Sequence, residues 1–155
     1  MAIQRMDNVL IVVDDLDAVI AFFVELGLEL EGKGPVEGRW VQQVIGIDDV
    51  RQDIAMLRTP DGHGRIELAQ FHTPKPIAPE PKHAPVNTLG IRRVMFAVDD
   101  IEDTVARLRT HGAELVGELV DYRHEQGDPG VDSGYRLCYV RGPEGIIVGL
   151  AEQLD

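Results

Sequence analysis

Cysteine is nearly absent from this chain of 155 residues: Cys138 stands alone, so no internal disulfide can form and a reducing compartment suits it. Long apolar runs are missing too. The run Val9 to Val13 reaches Asp14 and Asp15 after about five residues, far short of the roughly 20 that a membrane-spanning helix needs, and reads as a strand. Basic residues are scarce, 15 against 27 acidic ones, for a formal charge of -12. Phosphate backbones and anionic lipids are held through clustered Lys and Arg, so neither nucleic acid nor a membrane is an expected partner, and the expected location is the cytoplasm. In such a chain an inward-facing arginine is more informative than another surface aspartate.

What is present is enough chain for a single buried core, and a repeat at an offset of about 85 residues. Val9-Leu10-Ile11-Val12-Val13-Asp14-Asp15-Leu16-Asp17 returns as Val94-Met95-Phe96-Ala97-Val98-Asp99-Asp100-Ile101-Glu102. Gly27 matches Gly112, Glu29 matches Glu114, and Gly32 matches Gly117. Each copy opens with a β-branched, apolar strand and places an aspartate pair where a helix N-terminus favours negative charge. Leu16, Val19, Ile20, Phe23 and Leu26 then fall at helical spacing, as do Ile101, Val105, Leu108 and the Arg107 stem. Gly27 and Gly112 are placed to end these helices, with strands predicted over Leu28 to Glu31 and Glu114 to Leu119.

The copies also close alike. Pro60-Asp61-Gly62 precedes a strand Arg65 to Ala69, Pro143-Glu144-Gly145 precedes one at Ile146 to Ala151, and Gln52 to Arg58 and Tyr135 to Arg141 supply the preceding hairpin arms. Each half therefore reads strand, helix, three strands. Thr73 to Asn87 carries five prolines and reads as an extended linker. Val41 to Val50 fits a short helix or a strand, with the helix favoured, and His124 to Gly134 reads as an irregular loop.

This tandem pattern resembles the vicinal-oxygen-chelate superfamily, which includes glyoxalases, bleomycin resistance proteins and extradiol dioxygenases. The resemblance implies an α+β fold of two βαβββ modules, residues 1–72 and 90–155 around a linker at 73–89, whose mixed sheets form a cupped cavity. Metal-dependent relatives hold a cation with a His or Gln at each module's first strand and a Glu or Gln on each closing strand. Those positions here are Asn8, Glu67, Arg93 and Gly149, and only Glu67 keeps the pattern. A divalent ion about 4 Å from a guanidinium would meet roughly 8 kcal/mol of repulsion at an effective dielectric near 20. No cofactor is therefore expected, a divalent metal being disfavoured.

Alternation in Ile66-Glu67-Leu68 turns Glu67 away from the helix-covering face, and the same parity separates Asn8 from Val9 and Arg93 from Val94. Glu67 is the candidate acid-base residue, and Arg93 a candidate clamp for a carboxylate or phosphate; an ion pair between the two, across the floor of the cup, is the competing structural role. Asn8, Trp40 and Arg136 are candidate cavity liners. The parity of Tyr135 to Arg141 is left open, Arg136 being preferred over Tyr122, Tyr135 and Tyr139. Cys138 lacks a neighbouring base that would activate a thiolate and reads as core. The loop His124 to Gly134 is expected to act as a lid. His124, Asp128 and Asp132 match no calcium or zinc spacing, and His63, His72, His83 and His111 are expected at the surface.

Two functions follow from the resemblance. One is a metal-free protein of the bleomycin-resistance type that binds an organic ligand, anions included, in the inter-module cavity. The other is a glyoxalase-like lyase, epimerase or isomerase using Glu67. A homodimer is expected in either case, because exposed sheet edges need cover.

Overall fold

The computed structural model describes residues 2–122 and 134–154, so all of the expected lid except Gly134 lies outside the described residues. The chain divides into two compact units, Met1–Pro79 and Glu80–Asp155, each carrying one copy of the repeat. The α+β architecture agrees with the expectation.

The first unit runs β1 (Val9–Val12), α1 (Leu16–Leu26), β2 (Glu29–Glu37), α2 (Arg39–Ile45), β3 (Arg51–Arg58) and β4 (Arg65–Thr73). Its sheet has the order β1-β4-β3-β2, with β1 parallel to β4 and the other pairs antiparallel. Two features start α1 where the sequence indicates: the Asp15 carboxylate accepts from the Ala18 N–H at 3.1 Å, and the Gln70 side chain accepts from the Leu16 N–H at 3.0 Å. Gly27 ends it at φ 129°, its N–H bonding the Phe23 carbonyl. The buried stripe is Leu16, Val19, Phe22, Phe23 and Leu26, so Phe22 takes the place expected for Ile20. Phe22 packs edge-on to Phe23 with ring centroids 5.2 Å apart. Ala55, Leu57, Ile66 and Leu68 are also buried, and each fully buried Leu or Phe contributes about 1.5–3 kcal/mol.

The second unit runs β5 (Arg93–Ala97), α3 (Ile101–Arg109), β6 (Glu114–Leu115), β7 (Val120–Tyr122), β8 (Tyr135–Arg141) and β9 (Ile147–Gln153), with a 3-10 turn at Pro143–Gly145. Its sheet has the order β5-β9-β8-β6, and β7 also pairs with β8. The helix start repeats the device of the first unit: Asp100 accepts from the Asp103 N–H at 2.9 Å, and Glu152 accepts from the Ile101 N–H at 2.9 Å. The end differs from expectation. Thr110 caps α3, its hydroxyl donating to the Arg107 carbonyl at 2.6 Å, and Gly112 supplies a positive φ of 82° in the turn beyond.

Four other boundaries differ from the sequence reading. The helical alternative holds for the ambiguous segment, but α2 spans Arg39–Ile45 and closes at the left-handed Gly46. Strand β2 continues to Glu37 because β3 offers it a partner down to Arg51, with one residue bulging between Leu30 and Gly32. In the second unit the equivalent strand breaks: Leu115 pairs with Val140 and Val120 with Leu137, so four residues lie between the pairs on one side and two on the other. The end of the expected linker belongs to the second unit, where Arg141 donates to the carbonyls of Ala84 and Gly145, each at 3.0 Å.

Candidate functional site: the open sheet faces

Helix α1 covers one face of the first sheet and α3 one face of the second, and the opposite face of each sheet carries exposed side chains. In the first unit the open face is read in rows across the strands. Leu10 lies beside Glu67, Glu67 beside Met56 and Met56 beside Gly32; in the next row Val12, Ala69, Ile54 and Gly34 follow one another. Leu10 is 51% exposed, well above what a core leucine shows. Gly32 and Gly34 have open space where a Cβ would stand, and with Val36, Ile54 and Met56 they line a recess of about 340 Å³.

Glu67 is half-buried in the middle of this apolar ground. Within its own unit it has no hydrogen-bond or ion-pair partner among the described residues, whereas the neighbouring charges are matched: Arg65 to Glu31 at 2.9 Å, Lys33 to Asp17 at 2.6 Å, Arg58 to Glu29 at 2.9 Å. Asn8 precedes β1 on the Glu67 side by alternation and donates to Asp7 at 3.0 Å, the first cause of the lowered Asp7 pKa. Trp40 is 61% exposed at the start of α2, so it is not packed core.

In the second unit the equivalent row is Met95, Gly149 and Tyr139, with Arg93 one step along β5 on the same side. The Arg93 Nε–H donates to the Tyr139 hydroxyl at 2.6 Å, and the guanidinium carbon lies 5.4 Å from the centre of the Tyr139 ring. A Cβ on Gly149 would stand 3.1 Å from Met95 Cγ, 3.3 Å from Tyr139 Cε1 and 3.4 Å from Arg93 Cδ. The glycine thus leaves the room that these three side chains fill. A second recess of about 320 Å³ is bordered by Val116, Val120, Leu137 and Tyr139, with Glu118 on its rim.

Arg136, the preferred liner of β8, is on the other face. Its Nε donates to Asp121 at 2.7 Å and a second nitrogen lies 3.6 Å from Glu102 on α3, so it is bound into an ion-pair cluster on the helix side. The Asp121 hydrogen bond pushes its pKa further up. Tyr139 and Leu137 are the open-face residues that sequence reasoning passed over. Their facing follows from the register of β8 on β9, which the irregular turn at Pro143–Gly145 hides. Cys138 is buried on the helix side, and burial pushes its thiol pKa up, as a core residue requires.

Glu67 lies in the first unit and Arg93 in the second. Among the described residues no three His, Cys, Asp or Glu side chains gather closely enough to hold a metal ion. The second unit's pair does not fit a divalent cation: one position is a cation and the other a glycine whose side-chain space is filled.

A family model for the Glyoxalase/Bleomycin resistance protein/Dioxygenase superfamily matches residues 5–148. The structure is similar to that of a glyoxalase family protein from Bacillus cereus, with a TM-score of 0.89 and 54% identity over 100% of this chain and 99% of that one. It also shares its fold with TnmS3, an antibiotic binding protein from Streptomyces sp. CB03234, at a TM-score of 0.59 and 18% identity over 99% of each chain. In sequence the chain is 26% identical over 154 residues to the uncharacterised protein YaeR of Escherichia coli (strain K12), covering 99% of both.

Proposed function

The chain belongs to the Glyoxalase/Bleomycin resistance protein/Dioxygenase superfamily, and on that premise we propose that it binds a small organic ligand at its open sheet faces without a resident divalent metal. The observation that carries this reading is the packing at Gly149, where Arg93, Met95 and Tyr139 fill the space from which a relative's metal ligand would project. A divalent ion there would face the guanidinium charge at short range. The exposed Leu10, Val12 and Met95, together with the apolar recesses, supply the surface on which a ligand's hydrocarbon would be dehydrated. The fold is compatible with binding an organic molecule, since TnmS3, which shares it, is an antibiotic binding protein.

One observation favours a second reading as a lyase, epimerase or isomerase. Glu67 is a half-buried carboxylate with no hydrogen-bond or ion-pair partner in its own unit among the described residues, set beside Leu10 and Met56 on the open face, where a bound ligand could meet it as an acid-base group.

Native mass spectrometry of the protein as purified, with metal analysis on the same sample, tests the first reading. The expected result is a dimer carrying far less than one metal per chain and able to hold an organic adduct. Stoichiometric zinc, nickel or manganese surviving dialysis would overturn it. Conversion of the adduct during incubation, lost in Glu67→Gln while the adduct still binds, would move the assignment to the enzyme.

A further inference from the structure

We infer that Arg93, held in place by Tyr139, is the receptor for a single carboxylate on the ligand, whose apolar part lies over Met95 and Leu137. The inference rests on the reading above that the open faces take an organic ligand, and it names the chemical class that the second unit selects.

Arg93 differs in what it meets from six other arginines of the chain. Arg5, Arg51, Arg58, Arg65, Arg107 and Arg136 all reach carboxylates, as expected where acids outnumber bases 27 to 15. Within its unit Arg93 instead donates its Nε–H to a phenol and lies against the ring of that phenol. No other hydrogen bond of Arg93 within its unit is present among the described residues. The phenol neutralises nothing, so the positive charge is undiminished, while the contact fixes the plane of the guanidinium. With Nε engaged, the edge formed by the two Nη groups is the one left for an acceptor. That edge presents parallel N–H bonds at the spacing of the two oxygens of a carboxylate.

The surroundings choose among anions. Met95, Leu137, Gly149 and Ala151 share this face, β5, β8 and β9 carry no lysine, and Arg141, in the same row as Arg93, has its two Nη groups engaged by the Gly145 and Ala84 carbonyls, so among the described strand residues Arg93 is the cation left to meet an anion. The net charge of -12 repels anions at long range, and more strongly for each added charge, although screening confines that repulsion to about 8 Å at physiological ionic strength. A monoanionic, planar acid with a hydrocarbon body suits this combination better than a phosphate. Gly149 is part of the device, since any side chain there would displace the arginine, the tyrosine or the methionine.

The test uses benzoate and neutral benzamide as probes against the full-length protein, followed through the arginine Nε–H resonances by NMR. Benzoate is expected to shift the Arg93 Nε–H saturably and to bind about tenfold more tightly than benzamide, a preference that Arg93→Gln abolishes and Arg93→Lys largely loses. Tyr139→Phe should move the Arg93 Nε–H resonance in the free protein and weaken benzoate a few-fold, about what one oriented hydrogen bond provides, and by more than it weakens benzamide. Equal affinities for the two probes, indifferent to Arg93→Gln, would overturn the carboxylate receptor and leave the apolar binding face standing. Benzoate binding that survives Arg93→Gln would place the anion elsewhere, also against the inference. Failure of both probes to saturate would overturn it together with the reading on which it rests.

Discussion

Leu10 beside Glu67 in the first unit and Met95 beside Gly149 in the second occupy the same place in two copies of one motif, yet they carry opposite chemistry. The first presents an acid on apolar ground, and the second a cation stacked on a phenol. Around them the framework is repeated closely. Val13 bonds the Ala69 carbonyl at 2.8 Å and Val98 that of Ala151 at 2.9 Å, and Gln70 and Glu152 each accept from the first residue of the helix. Helix starts and parallel strand pairs depend on backbone groups that must be satisfied, so both copies keep the same solution. Open-face side chains cover no core and can diverge without costing the fold.

The helices differ as well, and this contrast can be broken by mutation. Helix α1 buries Phe22 and Phe23, whereas α3 buries Thr104, whose hydroxyl donates back to Asp100 at 2.6 Å. Phe22→Ala is expected to cost about 3–5 kcal/mol, and Leu108→Ala about 2–5 kcal/mol toward the low end. Urea unfolding followed by hydrogen exchange in each unit, with Trp40 fluorescence reporting on the first, checks both values. A larger cost for Leu108→Ala would remove the contrast.

A smaller effect sharpens the comparison of open faces. Gly149→Ala should destabilise by about 1 kcal/mol, because the new methyl crowds the middle of the Met95 and Arg93 side chains and the Tyr139 ring rather than backbone, and it should disturb the Arg93 to Tyr139 hydrogen bond. Glu67→Ala should change stability by no more than about 0.5 kcal/mol, since the carboxylate has no partner in its unit among the described residues. Thermal unfolding of the two variants decides the matter: a Glu67→Ala cost above that of Gly149→Ala would give the acid a structural role.

The smallest effect separates two equivalent core positions, Ala55 and Cys138, which pair with Leu68 and Leu150. Burial raises the folded-state pKa of Cys138 above its unfolded value. The folded state therefore holds the thiol proton longer. Its contribution is fully present below the unfolded thiol's pKa and is lost as pH rises through the folded one. Alkylation at pH 8 should be slow in the native protein and rapid after unfolding, and Cys138→Ala should lessen the loss of stability at high pH. Rapid native alkylation would show the sulfur to be accessible.

Much of the fold was legible because its signals are local. Asp15 and Asp100 announce their helices, the Pro-Asp-Gly and Pro-Glu-Gly turns announce hairpins, and Ile66-Glu67-Leu68 carries its own facing in its alternation. The repeat made each copy evidence for the other. The exchange of Phe22 for Ile20 on the buried stripe was harder to read, because both lie at the edge of the same helical face and the neighbouring strands choose between them.

By itself, then, the sequence determined the two strand-helix-strand frameworks, the side of the sheet taken by Glu67 and Arg93, and the poverty of metal donors at four positions. Tertiary structure alone decided the rest, for one reason: partners far apart in the chain set it. Strand β2 runs to Glu37 because β3 is there to pair with it, and its counterpart breaks after Leu115 where two extra residues find no opposite. Arg136 is claimed by Asp121 and Glu102 from other elements, which turns an expected liner into a surface ion pair. Tyr139 reaches Arg93 only because the register of β8 on β9 and of β9 on β5 brings positions 46 residues apart within 2.6 Å.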